Sequence, residues 1–339
     1  MTLKQVLCLS TAVASLAAGS AKAATINLID LGGVSGSQAE LGFNVAAAYW
    51  GNMFTNDATI NLGVRFAPLA PNIIGSTGSR SVDFSVQNWE SRVNATKSNS
   101  LLDQSVVLPG LTGGGISGLT AGVDASGGND NSVTAILDGT QRSSQALYLN
   151  SALVKAIGGA LASPGDRDGD VTFSSTFGFD FDPRDGVTAG TFDFIGVAIH
   201  EIGHALGFVS GVDFFDYYGS PNGPGAGALG YDLNDTSIFS ALDMFRYGAP
   251  GELDMRVGGT PYFSIDGGAT ALFGNTFATG RYNGDGRQAS HWKDTPACAV
   301  GNGIMDPTFC FGQEGAVTGL DLAAFDAMGW TYETTNIPI

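Results

Sequence analysis

Histidine is almost absent from this chain, with three residues in 339, and cysteine is as scarce, also with three. Positive charge is short as well. Lys and Arg number 15 against 32 Asp and Glu, for a formal charge of −17. That deficit argues against nucleic acid and against anionic membrane surfaces, because both recruit partners through clustered cationic side chains. It fits a solubilised protein, or one that gathers hard cations through carboxylates. No apolar run reaches the roughly 20 residues that a membrane-spanning helix needs. The 50 glycines follow no collagen-like or other fixed repeat, so they imply turns and irregular loops.

The first residues carry a three-part export pattern. Lys4 supplies a basic start, Val6 to Ala18 is mostly apolar, and Ala21-Lys22-Ala23 is a small-x-small cleavage site. The expectation is a signal peptide over 1–23 and a secreted or periplasmic product without an anchor tail. Removing Lys4 and Lys22 takes the formal charge from −17 to −19. Cys8 leaves with the signal, and Cys298 and Cys310 remain as an even pair in an oxidising compartment. A bridge between them closes a short loop, contributing about 3 kcal/mol at most.

The remaining 24–339 reads as α+β, either one large domain or two subdomains sharing a cleft. The division falls at 24–207 and 208–339. Gln38 to Phe54 has a near-helical apolar stripe, and Thr59 to Phe66 alternates as a strand does. Short strand-like islands stand at Val82–Val86 and Ser105–Leu108. Ala146 to Leu161 reads as helix and Val171 to Phe177 as strand. A helix spans about 192–206, with Thr191 or Asp193 as cap, Gly207 as terminator, and apolar residues at 194, 195, 198, 202, 205 and 206. Residues 211–290 read as a Gly-rich insertion with little regular structure beyond a helix near Phe239–Tyr247. Thr318 to Met328 reads as a final helix, capped by Thr318 with Asp321 three residues on and stopped by Gly329.

Two of the three histidines fall in His200-Glu201-Ile202-Gly203-His204, an HExxH pattern. Residues four apart on a helix share a face, so both imidazoles can address one metal. Glu201 is rotated away from the metal and reaches the water bound to it. Zinc lowers the pKa of such a water to about 7, within reach of a carboxylate base. A shuffled chain of this composition yields on the order of 0.0003 such matches.

The residues that follow resemble the metzincin zinc endopeptidases, whose usual pattern is HExxHxxGxxH with a later Met-containing turn. Gly207 matches the glycine of that pattern, whereas Ser210 stands where its third histidine would be. In leishmanolysin-like members a long insertion precedes the third histidine. The resemblance therefore implies His291, in Ser290-His291-Trp292-Lys293, as the third ligand. It likewise implies Met305, in Gly303-Ile304-Met305-Asp306-Pro307, as the apolar floor of the Met-turn. Cys298 and Cys310 bracket that turn. The stretches around Phe192 to Trp330 are also similar to secreted bacterial metalloproteases of this arrangement. The expected ligands are thus His200, His204 and His291 for Zn2+, with Glu201 as general base, acting on a protein or peptide substrate. With no cysteine between the signal and the helix, latency through a cysteine–zinc switch is excluded.

Asp213 and Glu252 are rival third ligands, Asp213 the stronger. A non-catalytic zinc-binding surface protein on the same fold is the alternative function, and a zinc hydrolase acting on something other than peptides is a third. Asp166-Arg167-Asp168-Gly169-Asp170 and the group Asp180, Asp182, Asp185 are candidate Ca2+ loops, although neither has a complete calcium-loop spacing. Val171–Phe181 is read as the strand against which an extended substrate would pair.

Overall fold

The computed structural model describes residues 23–228, 232–274, 277–295 and 301–332. The expected signal peptide therefore lies outside the described residues except for Ala23. Among the described residues no helix is long and apolar enough to cross a membrane.

A four-stranded sheet forms the frame, in the order Thr25–Asp30, Thr59–Ala67, Gly169–Ser174, Gly75–Ser79. The first three strands run parallel and the last is antiparallel. Two helices pack on this sheet, Gln38–Met53 and the HExxH helix Phe194–Ala205. Phe43, Phe173 and Phe194 meet between them with ring centroids 4.6–5.1 Å apart. A fully buried Phe contributes roughly 1.5–3 kcal/mol over an exposed one, so this cluster fixes the helix against the sheet.

The HExxH helix is buried almost all round, including Val197, Ile199, His200 and Glu201 beyond the expected apolar stripe. The reason is its position: the sheet lies on one side, and Met305 and Phe325 approach on another. Asp193 is its N-cap residue, but the side chain does not cap it. That carboxylate instead accepts the Gly315 amide at 3.0 Å.

All four tryptophans are fully buried, and each spends its indole N–H on a buried acceptor. Trp50 donates to the Ile199 carbonyl at 2.9 Å and Trp330 to the Leu206 carbonyl at 2.8 Å, so two indoles grip the HExxH helix. Trp89 donates to the Met328 carbonyl at 3.1 Å, at the end of the last helix, Gly319–Met328. A buried indole left without an acceptor would cost about 1–3 kcal/mol, and each of these has one.

Several expectations are corrected. Ala146–Asn150 is a strand paired antiparallel with Ser81–Ser85, and only Ser151–Ala156 is helical. Pairing with a partner more than 60 residues away outweighs the local helical pattern. Leu101–Ser105 is a helical turn, and Val107 makes only an isolated bridge to Asp266. The region from 211 to 290 is more regular than expected. It holds the helix Val212–Tyr218 and the strands Arg246–Ala249, Glu252–Met255 and Tyr262–Phe263. The helix expected near Phe239–Tyr247 is one 3-10 turn, Leu242–Phe245, leading into a strand. These strands join Ser117–Val123 and Asn129–Asp138 in a five-stranded sheet, so strands from both sides of residue 207 share it.

The strand Gly169–Ser174 is interior, paired with Thr59–Ala67 on one side and Gly75–Ser79 on the other. It has no free edge for a peptide, and Gly75–Ser79 holds the edge position instead.

Candidate metal centre

His200 and His204 leave the HExxH helix one turn apart, and His291 arrives from an irregular segment 87 residues beyond His204. The three Nε2 atoms converge. His204 Nε2 lies 3.1 Å from His200 Nε2 and 3.2 Å from His291 Nε2, and the remaining pair is 3.3 Å apart. A tetrahedral site with metal–nitrogen distances of about 2.0–2.1 Å places its ligand nitrogens about 3.3–3.4 Å apart, so the spacing fits one ion. Among the described residues these three are the one group of at least three His, Cys, Asp or Glu side chains placed to share a metal.

The far side of each ring explains the convergence. His200 Nδ1 lies 2.6 Å from the Ile304 carbonyl, His204 Nδ1 2.6 Å from the Phe208 carbonyl, and His291 Nδ1 3.2 Å from the Gln288 carbonyl. A carbonyl only accepts, so each Nδ1 carries the proton and each Nε2 presents a lone pair inward. Three neutral imidazoles aiming lone pairs at one point repel unless a cation sits among them. Burial keeps them neutral, lowering His200 to about 3 and His204 to about 4, and holding His291 well below its ordinary value.

Gly207 works as expected at the helix end. Its φ of 124° reverses the chain, and the reversal returns the Phe208 carbonyl to His204. Met305 is fully buried, and a Cβ added at Gly203 would stand 2.7 Å from its sulfur. The turn containing Met305 therefore packs directly on the HExxH backbone, and Ile304 beside it supplies the carbonyl for His200.

Glu201 is 7 % exposed. Burial pushes its carboxyl up to about 7, against a hydrogen bond from Thr77. Thr77 Oγ1 lies 2.7 Å from Glu201 Oε2 and 2.9 Å from the Glu201 backbone carbonyl. Gly75 leaves room for the carboxylate, since a Cβ there would come within 2.6 Å of Oε1. The sequence reading missed both residues. They sit in a Gly- and Ser-rich stretch whose only signal is alternation.

The rival ligands do not join the imidazoles. Asp213 directs its carboxylate to the backbone N–H of Ala289 at 2.7 Å and of Ser290 at 3.0 Å, and accepts the Ser290 hydroxyl at 2.5 Å. Glu252 is exposed at the start of the strand Glu252–Met255. Ser210 fills the place of the contiguous third histidine differently. Its N–H donates to Ser290 Oγ at 2.8 Å, one residue from His291. Asp321, read as the helix-capping acid, does more than cap. It is fully buried and accepts from Thr318, the Trp292 indole at 2.9 Å and the Ile304 amide at 2.9 Å.

Among the described residues the candidate calcium loops do not bring three carboxylates to one point. Asp168 is buried against Lys155 at 2.6 Å, Asp166 pairs with Arg80 at 3.2 Å, and Asp170 pairs with Arg167 at 2.7 Å. Asp180 is taken up by Thr188, and Asp182 by Arg184 at 2.5 Å. Their charges are met by local donors. The expected Cys298–Cys310 bridge involves Cys298, which lies outside the described residues; Cys310 is not a free thiol.

No protein-family model, curated protein or solved structure matches this chain.

Proposed function

We propose that this chain is an exported zinc-dependent endopeptidase of metzincin type. The observation that carries the reading is the convergence of three inward-facing Nε2 atoms beside Glu201, a buried carboxylate that the imidazoles do not use. An all-imidazole set of three suits zinc, copper, nickel or iron, and its near-tetrahedral spacing with one position left over favours catalytic zinc. Bound there, zinc supplies Lewis acidity that polarises a carbonyl and acidifies water.

Glu201 takes the proton of the attacking water and delivers it to the leaving amine nitrogen. The Thr77 hydroxyl holds Oε2 and so fixes the direction of that carboxylate. Gly75–Ser79 runs past Glu201 as the sheet's edge strand. That placement supports backbone pairing with an extended peptide, a recognition mode that is independent of sequence. Protein or peptide is accordingly the proposed substrate class. A purely metal-binding protein has no use for a buried carboxylate at Glu201, whose desolvation costs stability.

The test is digestion of casein by the purified chain, together with its zinc content. Activity should disappear on chelation, return with zinc, and be lost in Glu201→Ala while zinc stays bound. A Glu201→Ala protein that still digests casein would sink the mechanism.

A further inference from the structure

We infer that Asp213 and Arg246 are positioning residues for the third metal ligand, two buried charged side chains that together clamp the His291 segment over the HExxH helix. The inference rests on the three histidines sharing a metal and is independent of whether peptides are cleaved.

His291 has no helix to aim it. The backbone from 281 to 295 forms only bends, turns and isolated bridges. An imidazole in such a segment keeps its place only if the backbone on each side of it is tied down. Asp213 binds two successive amides there, of Ala289 and Ser290, and the Ser290 hydroxyl as well. Arg246 binds the carbonyl side. Its guanidinium donates to the Ala289 carbonyl at 3.2 Å and the Ala278 carbonyl at 3.2 Å, and stacks over the Phe277 ring at 4.5 Å. The Ala278 amide in turn donates to the His291 carbonyl at 3.1 Å. The peptide unit before Ser290 is thus gripped at both N–H and C=O, and the residue facing His291 is gripped too.

Arg246 is fully buried, which is rare for arginine and costly without compensation. Its acidic neighbours offset part of that cost: Asp243 lies 3.9 Å from its Nε, and Asp213 also acts on its charge, although burial still dominates. Asp243 then fastens the other end of the clamp to the HExxH helix. It accepts Ser210 Oγ at 2.5 Å and the Gly211 amide at 2.8 Å, just beyond the helix's terminating turn. A buried charge network of this cost is understandable if it secures one geometry, and the geometry it touches is that of His291.

The test is metal affinity of the full chain, measured by competition of zinc with a chromophoric chelator, with the visible spectrum of the cobalt form as a second readout. Asp213→Asn keeps the shape but turns an acceptor into a donor facing an amide. Arg246→Lys keeps the charge but cannot reach two carbonyls. Loss of a group that orients a ligand typically weakens metal binding about 10–100-fold, and that range is expected for each. The cobalt spectrum should shift. Ser290→Ala is the mild variant, expected at the low end and secure against misfolding.

A second cycle separates positioning from general structure. Introduced into His291→Ala, Asp213→Asn should cost no further affinity, because nothing remains to be positioned. Wild-type affinity and an unchanged cobalt spectrum in both Asp213→Asn and Ser290→Ala would overturn the inference. So would an undiminished additional loss in the His291→Ala background. A wild-type chain that binds no metal defeats both this inference and the proposed function. A zinc-binding chain without peptidase activity defeats the proposed function alone.

Discussion

His200 and His204 are held by the HExxH helix, and His291 by side chains that come from elsewhere. On the helix, backbone hydrogen bonding and 3.6-residue periodicity set the two imidazoles on one face at no further cost. In the segment around His291, the same precision is assembled from Asp213, Arg246, Ser210 and the shelf formed by Trp292, Met305 and Asp321. A regular element supplies geometry cheaply but only over short spans. An irregular segment delivers a residue from 87 positions away and needs buried polar partners to keep it there. The helix should therefore tolerate changes in its surroundings that the loop does not.

The largest effect should come from Glu201, the one residue of the helix to which the proposed mechanism gives proton transfer. Glu201→Ala is expected to lower peptide hydrolysis about 10²–10⁴-fold while zinc content, measured by elemental analysis, is unchanged. Loss of zinc in this variant would mean that Glu201 serves the metal and not the proton. Next come the proposed ligands themselves. His291→Ala and His204→Ala each remove one nitrogen of three, and each should weaken zinc binding beyond the ~100-fold ceiling typical of supporting partners. Calorimetric titration of both would sharpen the contrast. If the His291 segment is held as described, losing His204 should cost no more than losing His291.

A control is needed for stability changes unrelated to the three imidazoles, and Asp326 on the last helix provides one. It is buried near Asp103, Lys97 and Tyr332, and burial pushes its carboxyl up to about 8. Its folded pKa is raised above the unfolded value of 3.8, so its neutral form favours the fold. That advantage is complete below about pH 4 and is lost as pH rises towards 8. Asp326→Asn should flatten this slope by an amount on the order of a few kcal/mol between pH 4 and 8, read by urea unfolding of the metal-free protein. An equal slope in the variant would place the pH dependence elsewhere.

Smaller effects probe the seam between the two regions. Gly203→Ala adds a Cβ 2.7 Å from the Met305 sulfur, and overpacking of this kind costs about 1–3 kcal/mol despite the better helix propensity of alanine. A rise in melting temperature would show that the Met305 turn is free to move away. Met305→Leu conserves volume and should cost under about 1.5 kcal/mol, with zinc affinity nearly unchanged. A large loss of zinc would make the methionine more than a packing surface.

How much of this was readable along the chain follows from the range of each interaction. The helices at Gln38–Met53, Phe194–Ala205 and Gly319–Met328, and the strand at Thr59–Ala67, carry their own periodicity or caps and were placed within a few residues. Ala146–Asn150 was misread because its pairing partner, Ser81–Ser85, lies far upstream. The interior place of Gly169–Ser174 depends on two other strands and has no signature of its own. Thr77 among glycines and serines, and Asp213, Asp243 and Arg246 among apolar residues, were not recognised for what they do, because in either setting a polar residue looks the same along the chain whether solvated or buried.

By itself, the sequence determined the chemistry that could occur: two imidazoles and a carboxylate on one helix, one further histidine, and a glycine to turn the chain away. Helical spacing is local, so it can be read without a fold. Only the tertiary structure decided that His291 joins the other two imidazoles, that the Asp213 carboxylate turns to the His291 segment and not to those imidazoles, and that Gly75–Ser79 holds the sheet edge. Those outcomes depend on contacts between residues 43 to 124 positions apart, made in a buried interior where each polar group must find a partner, and no local pattern records which partner that is.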